Sequence, residues 1–264
     1  MKISIRMIGI ATSIFWVFLI IFSVSALYSM KDIKLEFGEP QTSLTPDNEM
    51  LFSFPIAIVN KGYYNLGHFN VSTEILGEQS QTIAWGCTFI PVIGKGEAVN
   101  TTHRTELDLT ALLQSSPHFL FNDTELRINT TVSMRAAEVI PIQASSNHSM
   151  PWGAPLSNFT LGTPECAALM SPSSTARYRV IVPMSFENHA FFDLTGTVQV
   201  RMCNSTNVLI GEDQVAIEAR QGLSYHGSLE FFIPATGSTR DGHFEVFFAT
   251  PFFNYGPLVV PYGR

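Results

Sequence analysis

Charge is scarce in this sequence. Lys, Arg, Asp and Glu make up 14% of its 264 residues, where about a quarter is usual for a globular protein. The balance is acidic, 15 Lys plus Arg against 22 Asp plus Glu. That excludes the basic footprint which nucleic acid requires. Cysteine is scarcer still. Cys87, Cys166 and Cys203 allow at most one intrachain disulfide, with one thiol left over, and the set is too sparse for structural zinc. Signatures of catalysis are missing too. Among the seven His, none has an i+4 metal-ligand partner, and no Gly-x-Ser-x-Gly elbow is present. Gly94-Lys95-Gly96 lacks the Gly-Lys-Ser/Thr ending of a phosphate loop and reads as a hairpin. Carboxylate pairs such as Glu212-Asp213 lack the alternating spacing of a calcium loop. These absences point to a non-enzyme, with no cofactor and no metal expected. Long helical patterns are scarce as well, which suits antiparallel sheets.

What is present begins with a hydrophobic run. Met7 to Tyr28 is free of charge, and its length as a helix, about 33 Å, matches a bilayer core of about 30 Å. Two readings stay open. A cleaved signal peptide would have Lys2 and Arg6 as its n-region and a small-residue site at Val24-Ser25-Ala26. A retained single-span anchor suits the length better. A short positive N-terminus ahead of such a span leaves the C-terminal region outside, so the expected location is a cell membrane with an extracellular body.

Seven sequons agree with that side: Asn70, Asn100, Asn122, Asn129, Asn147, Asn158 and Asn204 each precede x-Ser/Thr. Chance placement of this composition gives about two. All seven are candidate glycosylation sites. Strand alternation puts Asn129 and Asn70 on the solvent side of their strands.

The sequence also matches itself. Phe54-Pro-Ile-Ala-Ile-Val-Asn60 is followed 128 residues later by Val182-Pro-Met-Ser-Phe-Glu-Asn188, and Tyr63-Tyr64-Asn65-Leu66 by Phe191-Phe192-Asp193-Leu194. Val71, Thr73 and Ile75 correspond to Val198, Val200 and Met202 after a contraction of one residue. Gly94-Lys-Gly96 resembles Arg220-Gln-Gly222, and Trp152 to Leu156 resembles Tyr255 to Leu258. An ordered series of this kind indicates duplication. Both copies alternate with period two, as in Phe52, Phe54, Ile56, Ile58 and in Tyr178, Val180, Val182, Met184. Antiparallel sheets with one wet face are therefore expected. Short helices are indicated only at Thr110 to Gln114, with Thr110 as a cap, and at Pro164 to Met170. The expected fold is all-β: residues 1–30 a transmembrane anchor, 31–162 a first β-sandwich, 163–176 a linker and 177–264 a second β-sandwich.

Phe-Pro-Ile-Ala-Ile-Val-Asn, then Leu66 and its strand, resembles the late-embryogenesis-abundant type 2 domain, also called the water-stress and hypersensitive-response domain. Thr105 to Leu113 resembles that family's late strand and short helix. The family's turn proline is absent here, with Lys61 after Asn60 and His189 after Asn188. The resemblance implies immunoglobulin-like β-sandwiches, in tandem, often tethered to a membrane and without a catalytic site.

The functional expectation is a membrane-anchored extracytoplasmic structural or interaction protein, a non-catalytic subunit of an envelope or membrane-protein assembly. Its partners would be another membrane or envelope protein, or a second copy, with the bilayer held through residues 7–28. The alternative is an anchored binding module for a small apolar or glycan ligand. Tyr63, Tyr64, Phe191 and Phe192, in equivalent turns, are the candidate contact surface for either.

Overall fold

The computed structural model describes residues 2–78, 80–169, 177–234 and 241–263. It is mostly β, in several antiparallel sheets behind one N-terminal apolar helix. Helix α1 (Lys2–Met30) leaves its side chains exposed from Ile10 through most of its length. Ala26 and Ser29, near its end, are buried. The stretch Ile10–Met30 is long and apolar enough to cross a membrane.

Sixteen strands follow among the described residues. β1 (Ile33–Phe37) and β2 (Gln41–Leu44) lie one after the other along the same edge of β3 (Glu49–Asn60), and β6 (Ala98–Asp108) pairs β3. β9 (Ser157–Leu161) and β10 (Glu165–Leu169) both pair β11 (Arg177–Glu187), which also pairs β14 (Ser224–Pro234). The other two sheets run β5-β4-β7-β8 and β13-β12-β15-β16. They comprise β4 (Leu66–Leu76), β5 (Thr82–Ile93), β7 (Thr124–Ala136) and β8 (Ile140–Trp152), then β12 (Leu194–Asn204), β13 (Leu209–Ala219), β15 (Gly242–Ala249) and β16 (Asn254–Tyr262). The strand order is thus stated twice, and residues 52–58 and 180–186 occupy the same place in it.

Small details repeat with the order. Where the edge passes from β1 to β2, the Gly38 amide donates to the Pro55 carbonyl at 2.9 Å. Between β9 and β10 the Gly162 amide donates to the Pro183 carbonyl at 2.7 Å. A side chain at either glycine would press on the proline ring. After the fifth and thirteenth strands, Gly96 and Gly222 take φ of +78° and +70°, a region open to glycine at no steric cost. The one-residue contraction has a cause as well. In β4, His68 adopts φ +51°, and the register with β7 shifts between Gly67 and Asn70. This β-bulge adds the residue that β12 lacks.

Three expectations change. Among the described residues 164–169 there is no helix: β10 forms there and extends the sheet along β11, because Cys166 to Ala168 pair with Val180 to Tyr178. The linker 163–176 therefore contains a sheet strand, while its residues 170–176 lie outside the described residues. The helix after β6, α2 (Leu109–Ser115), is capped by Asp108 rather than Thr110, the Asp108 carboxylate accepting from the Ala111 amide at 2.8 Å. A carboxylate before the first turn satisfies an orphan amide and suits the helix dipole. α3 (His118–Phe121) follows it. Finally, Trp152 ends β8 whereas Tyr255 lies at the start of β16, so those segments resemble each other in residue type and differ in position.

The chain divides into two compact units. Unit 1 comprises Met1–Thr45, Met50–Leu107 and Arg127–His148; unit 2 comprises Pro46–Glu49, Asp108–Leu126 and Ser149–Arg264. The helical segment after β6 and the end of β8 thus belong to unit 2.

Candidate functional site

Each third strand ends in a buried asparagine that builds the turn after it. The Asn60 side-chain amide donates to the carbonyls of Tyr64 at 2.9 Å, Ile93 at 3.2 Å and Gly94 at 3.1 Å, and its Oδ1 accepts from Gly62. Asn188 donates to Phe192 and Ala219, both at 2.9 Å, and accepts from Ala190. Both side chains are fully buried. Only an amide offers two donors and an acceptor in so short a side chain.

These turns carry the four aromatics. Tyr63 is exposed, but Tyr64 is half-buried, with its hydroxyl 3.0 Å from Ser25 Oγ and its ring 5.7 Å from Phe22 of α1. In unit 2, Phe192 is core, 4.1 Å from the Phe252 ring, and Phe191 lies half-buried against Trp152. Tyr63 alone of the four presents an open ring. Other exposed aromatics are Trp85 and Phe89 on the outer side of edge strand β5.

Among the seven sequon residues, Asn100, Asn122, Asn147 and Asn158 are exposed and Asn70, Asn129 and Asn204 are half-buried. Asn70 and Asn129 lie on the outer side of β4 and β7, since the alternate residues Val71 and Thr73 of β4 face inward. Asn70 is also the cross-strand partner of Phe89 and accepts from the Cys87 thiol at 3.0 Å.

The interior of unit 1 holds a cluster that the sequence reading passed over. His103, buried on β6, has its Nδ1 3.0 Å from Thr88 Oγ1, and its Nε2 3.0 Å from Thr73 Oγ1 and 3.3 Å from Thr105 Oγ1. Thr73 Oγ1 lies 3.0 Å from Thr130 Oγ1. Burial pushes the His103 pKa below its ordinary 6.5, so the imidazole is neutral at pH 7. Above this polar floor stands a cavity of about 520 Å³, walled by Phe52, Phe54, Ile128 and Val132. The signal was available: Thr73, His103, Thr105 and Thr130 fall on the inward period of their strands, where aliphatics were expected.

Unit 2 contains two titratable clusters. His189 Nδ1 lies 2.7 Å from Asp123 and its Nε2 2.9 Å from Glu187. The Asp123 hydrogen bond is the largest cause of a raised His189 pKa. Burial would raise Asp123, but the Ala154 amide and His189 outweigh it and hold that carboxyl below its usual value. Both imidazole nitrogens are committed, so this is a clamp between loops. The Cys203 thiol, His243 and Glu245 bring one ligand atom each within 4.8 Å of one another. The residue types fit a transition metal. Burial, however, pushes the Cys203 thiol up, away from the thiolate a metal needs, and His243 Nε2 already lies 3.9 Å from Glu245 Oε1. All three cysteines are unpaired, Cys87 and Cys166 exposed and Cys203 buried.

No family model matches the chain, and no curated protein matches it. Solved structures similar to it include red sea bream transglutaminase, at 14% identity and TM-score 0.30 over 88% of this chain. A Northeast Structural Genomics Consortium target is similar at 17% identity and TM-score 0.29, over 47% of this chain and 88% of its own. The putative ApaA protein of Bordetella pertussis is similar at 14% identity and TM-score 0.29, over 47% of this chain and 94% of its own. The chain spans 31% of the transglutaminase.

Proposed function

We propose that the chain is a single-span, membrane-anchored protein whose two β units stand outside the membrane and act without catalysis, by contact with a membrane or envelope partner. The observation that carries this reading is the pairing of an exposed apolar helix with seven sequon asparagines, none of them buried. Each unit reads as an immunoglobulin-like sandwich, as the resemblance to the late-embryogenesis-abundant type 2 domain implies. Exposed Trp85 and Phe89 on an edge strand supply apolar area of the kind that partners cover.

Protease treatment of sealed membranes from expressing cells tests it, with removal of N-glycans as a second readout. The reading expects residues beyond α1 to be digested from outside and the chain to shift in mass on deglycosylation. Full protection of the β units together with an unmodified Asn70, Asn129 and Asn147 would contradict it.

A further inference from the structure

We infer that the interior of unit 1 is a binding site for a small, uncharged, mainly apolar molecule carrying one hydrogen-bond-accepting oxygen. The cavity of about 520 Å³ lies within the range of small-molecule sites, roughly 300–1,000 Å³. It is far larger than the roughly 30 Å³ share of one water. Its walls are mainly aromatic and aliphatic, with Ser145, Ser146 and His148 along one side, and no Lys, Arg, Asp or Glu lines it. A charged ligand would lose its hydration there without a counter-charge, which is costly.

The floor specifies the oxygen. Thr73, Thr88, Thr105 and Thr130 bring one O–H each, and the neutral imidazole of His103 one N–H. With the His103 proton on Nε2, the Thr88 hydroxyl donates to Nδ1, and the Thr105 hydroxyl, which lines the cavity, is left to donate. A carbonyl, ether or hydroxyl oxygen would accept it. The cavity is also no feature of the shared strand order. Counted from the equivalent turn glycines Gly96 and Gly222, His103 and Leu229 are both the seventh residue, and Thr105 and Phe231 both the ninth. Cross-strand register equates Thr73 and Thr130 with Val200 and Val246. Unit 2 fills with apolar side chains, fully buried, the space that unit 1 leaves hollow above hydroxyls.

Photolabelling of the full chain in phospholipid nanodiscs tests this, with a medium-chain alcohol bearing a diazirine as the probe. Labelled peptides are mapped by mass spectrometry, and α1, which meets lipid in any case, serves as the internal control. Labelling is expected around Phe52–Phe54 and Ile128–Val132. The plain alcohol should suppress it, and the alkane and carboxylate of equal length should do so about tenfold less well, the equivalent of about 1.4 kcal/mol. Val132→Phe, which installs the residue found at the matching position of unit 2 (Phe248), should lower labelling about tenfold and leave α1 unchanged. Label confined to α1, equal competition by the alkane, or full labelling in Val132→Phe would each overturn the inference. The competition series requires no variant, so it decides even if Val132→Phe fails to fold.

Discussion

Phe54, Thr73, His103 and Thr130 stand in unit 1 where Val182, Val200, Leu229 and Val246 stand in unit 2. In unit 2 these side chains are completely buried, together with Phe231, Phe244 and Phe248. In unit 1 Thr73 and His103 are buried, while Phe54, Ile128, Thr130 and Val132 remain half-exposed around a cavity. One strand order thus tolerates both a filled interior and one with a cavity beside its core of Ile56, Ile58, Leu66, Phe69, Val71 and Ile93, because what holds it lies elsewhere. The ladders, the buried Asn60 and Asn188, the Gly–Pro contacts at the edge and the left-handed turn glycines are the same in both. The interior side chains are free to diverge.

Exchanging interior residues breaks the comparison hardest. Leu229→His would bury an unpartnered imidazole in the filled unit, at a cost of about 4 kcal/mol. The reverse change, His103→Leu, strands hydroxyls beside an open cavity and should cost about 1–2 kcal/mol. Denaturant unfolding of the detergent-solubilised chain, read separately for each unit, measures both. The equivalence of the turns is sharpened by Asn60→Ala and Asn188→Ala. Each loses a set of buried hydrogen bonds and should destabilise its own unit by about 3 kcal/mol. Unequal costs would show that the two asparagines do different work. Val132→Phe should raise the melting temperature of unit 1, with a gain of about 1–2 kcal/mol from apolar area removed from water.

A smaller difference concerns pH, since the His189 clamp exists only in unit 2. The folded-state pKa of His189 lies above 6.5. Its stabilisation is therefore complete below that value and lost as pH rises through the folded value. Asp123 acts in the opposite sense: its contribution is present above 3.8 and lost as pH falls through its depressed value. His189→Gln should flatten the alkaline limb, by less than about 1 kcal/mol because the imidazole is partly exposed. Stability measured from pH 4 to 9 checks it, and a variant with an unchanged profile would count against the clamp.

Much of the architecture was legible because strand alternation and the order of the self-match are local and redundant. Ile56 and Ile58, or Val198, Val200 and Met202, declare their face by period alone. Pro164 to Met170 misled because a proline near a first turn suits both a helix and a strand edge, and the pairing with β11 is what decides it. The aromatic turns misled differently. Doublets such as Tyr63-Tyr64 or Phe191-Phe192 say nothing of what covers them, and Phe22 and Phe252 do so from distant sequence. The cluster around His103 is assembled from β4, β5, β6 and β7. Each of its residues was visible in the alternation as a polar side chain on an inward position, but only cross-strand register brings them together.

Cysteine accessibility compares the two interiors most directly. In a chain carrying Cys87→Ser and Cys166→Ser, single substitutions Val132→Cys and Phe248→Cys are exposed to a small neutral maleimide under native conditions. The account predicts rapid modification at position 132 and, at position 248, modification no faster than unfolding of unit 2. Equal protection at both positions would contradict an open cavity beside the core of the first unit.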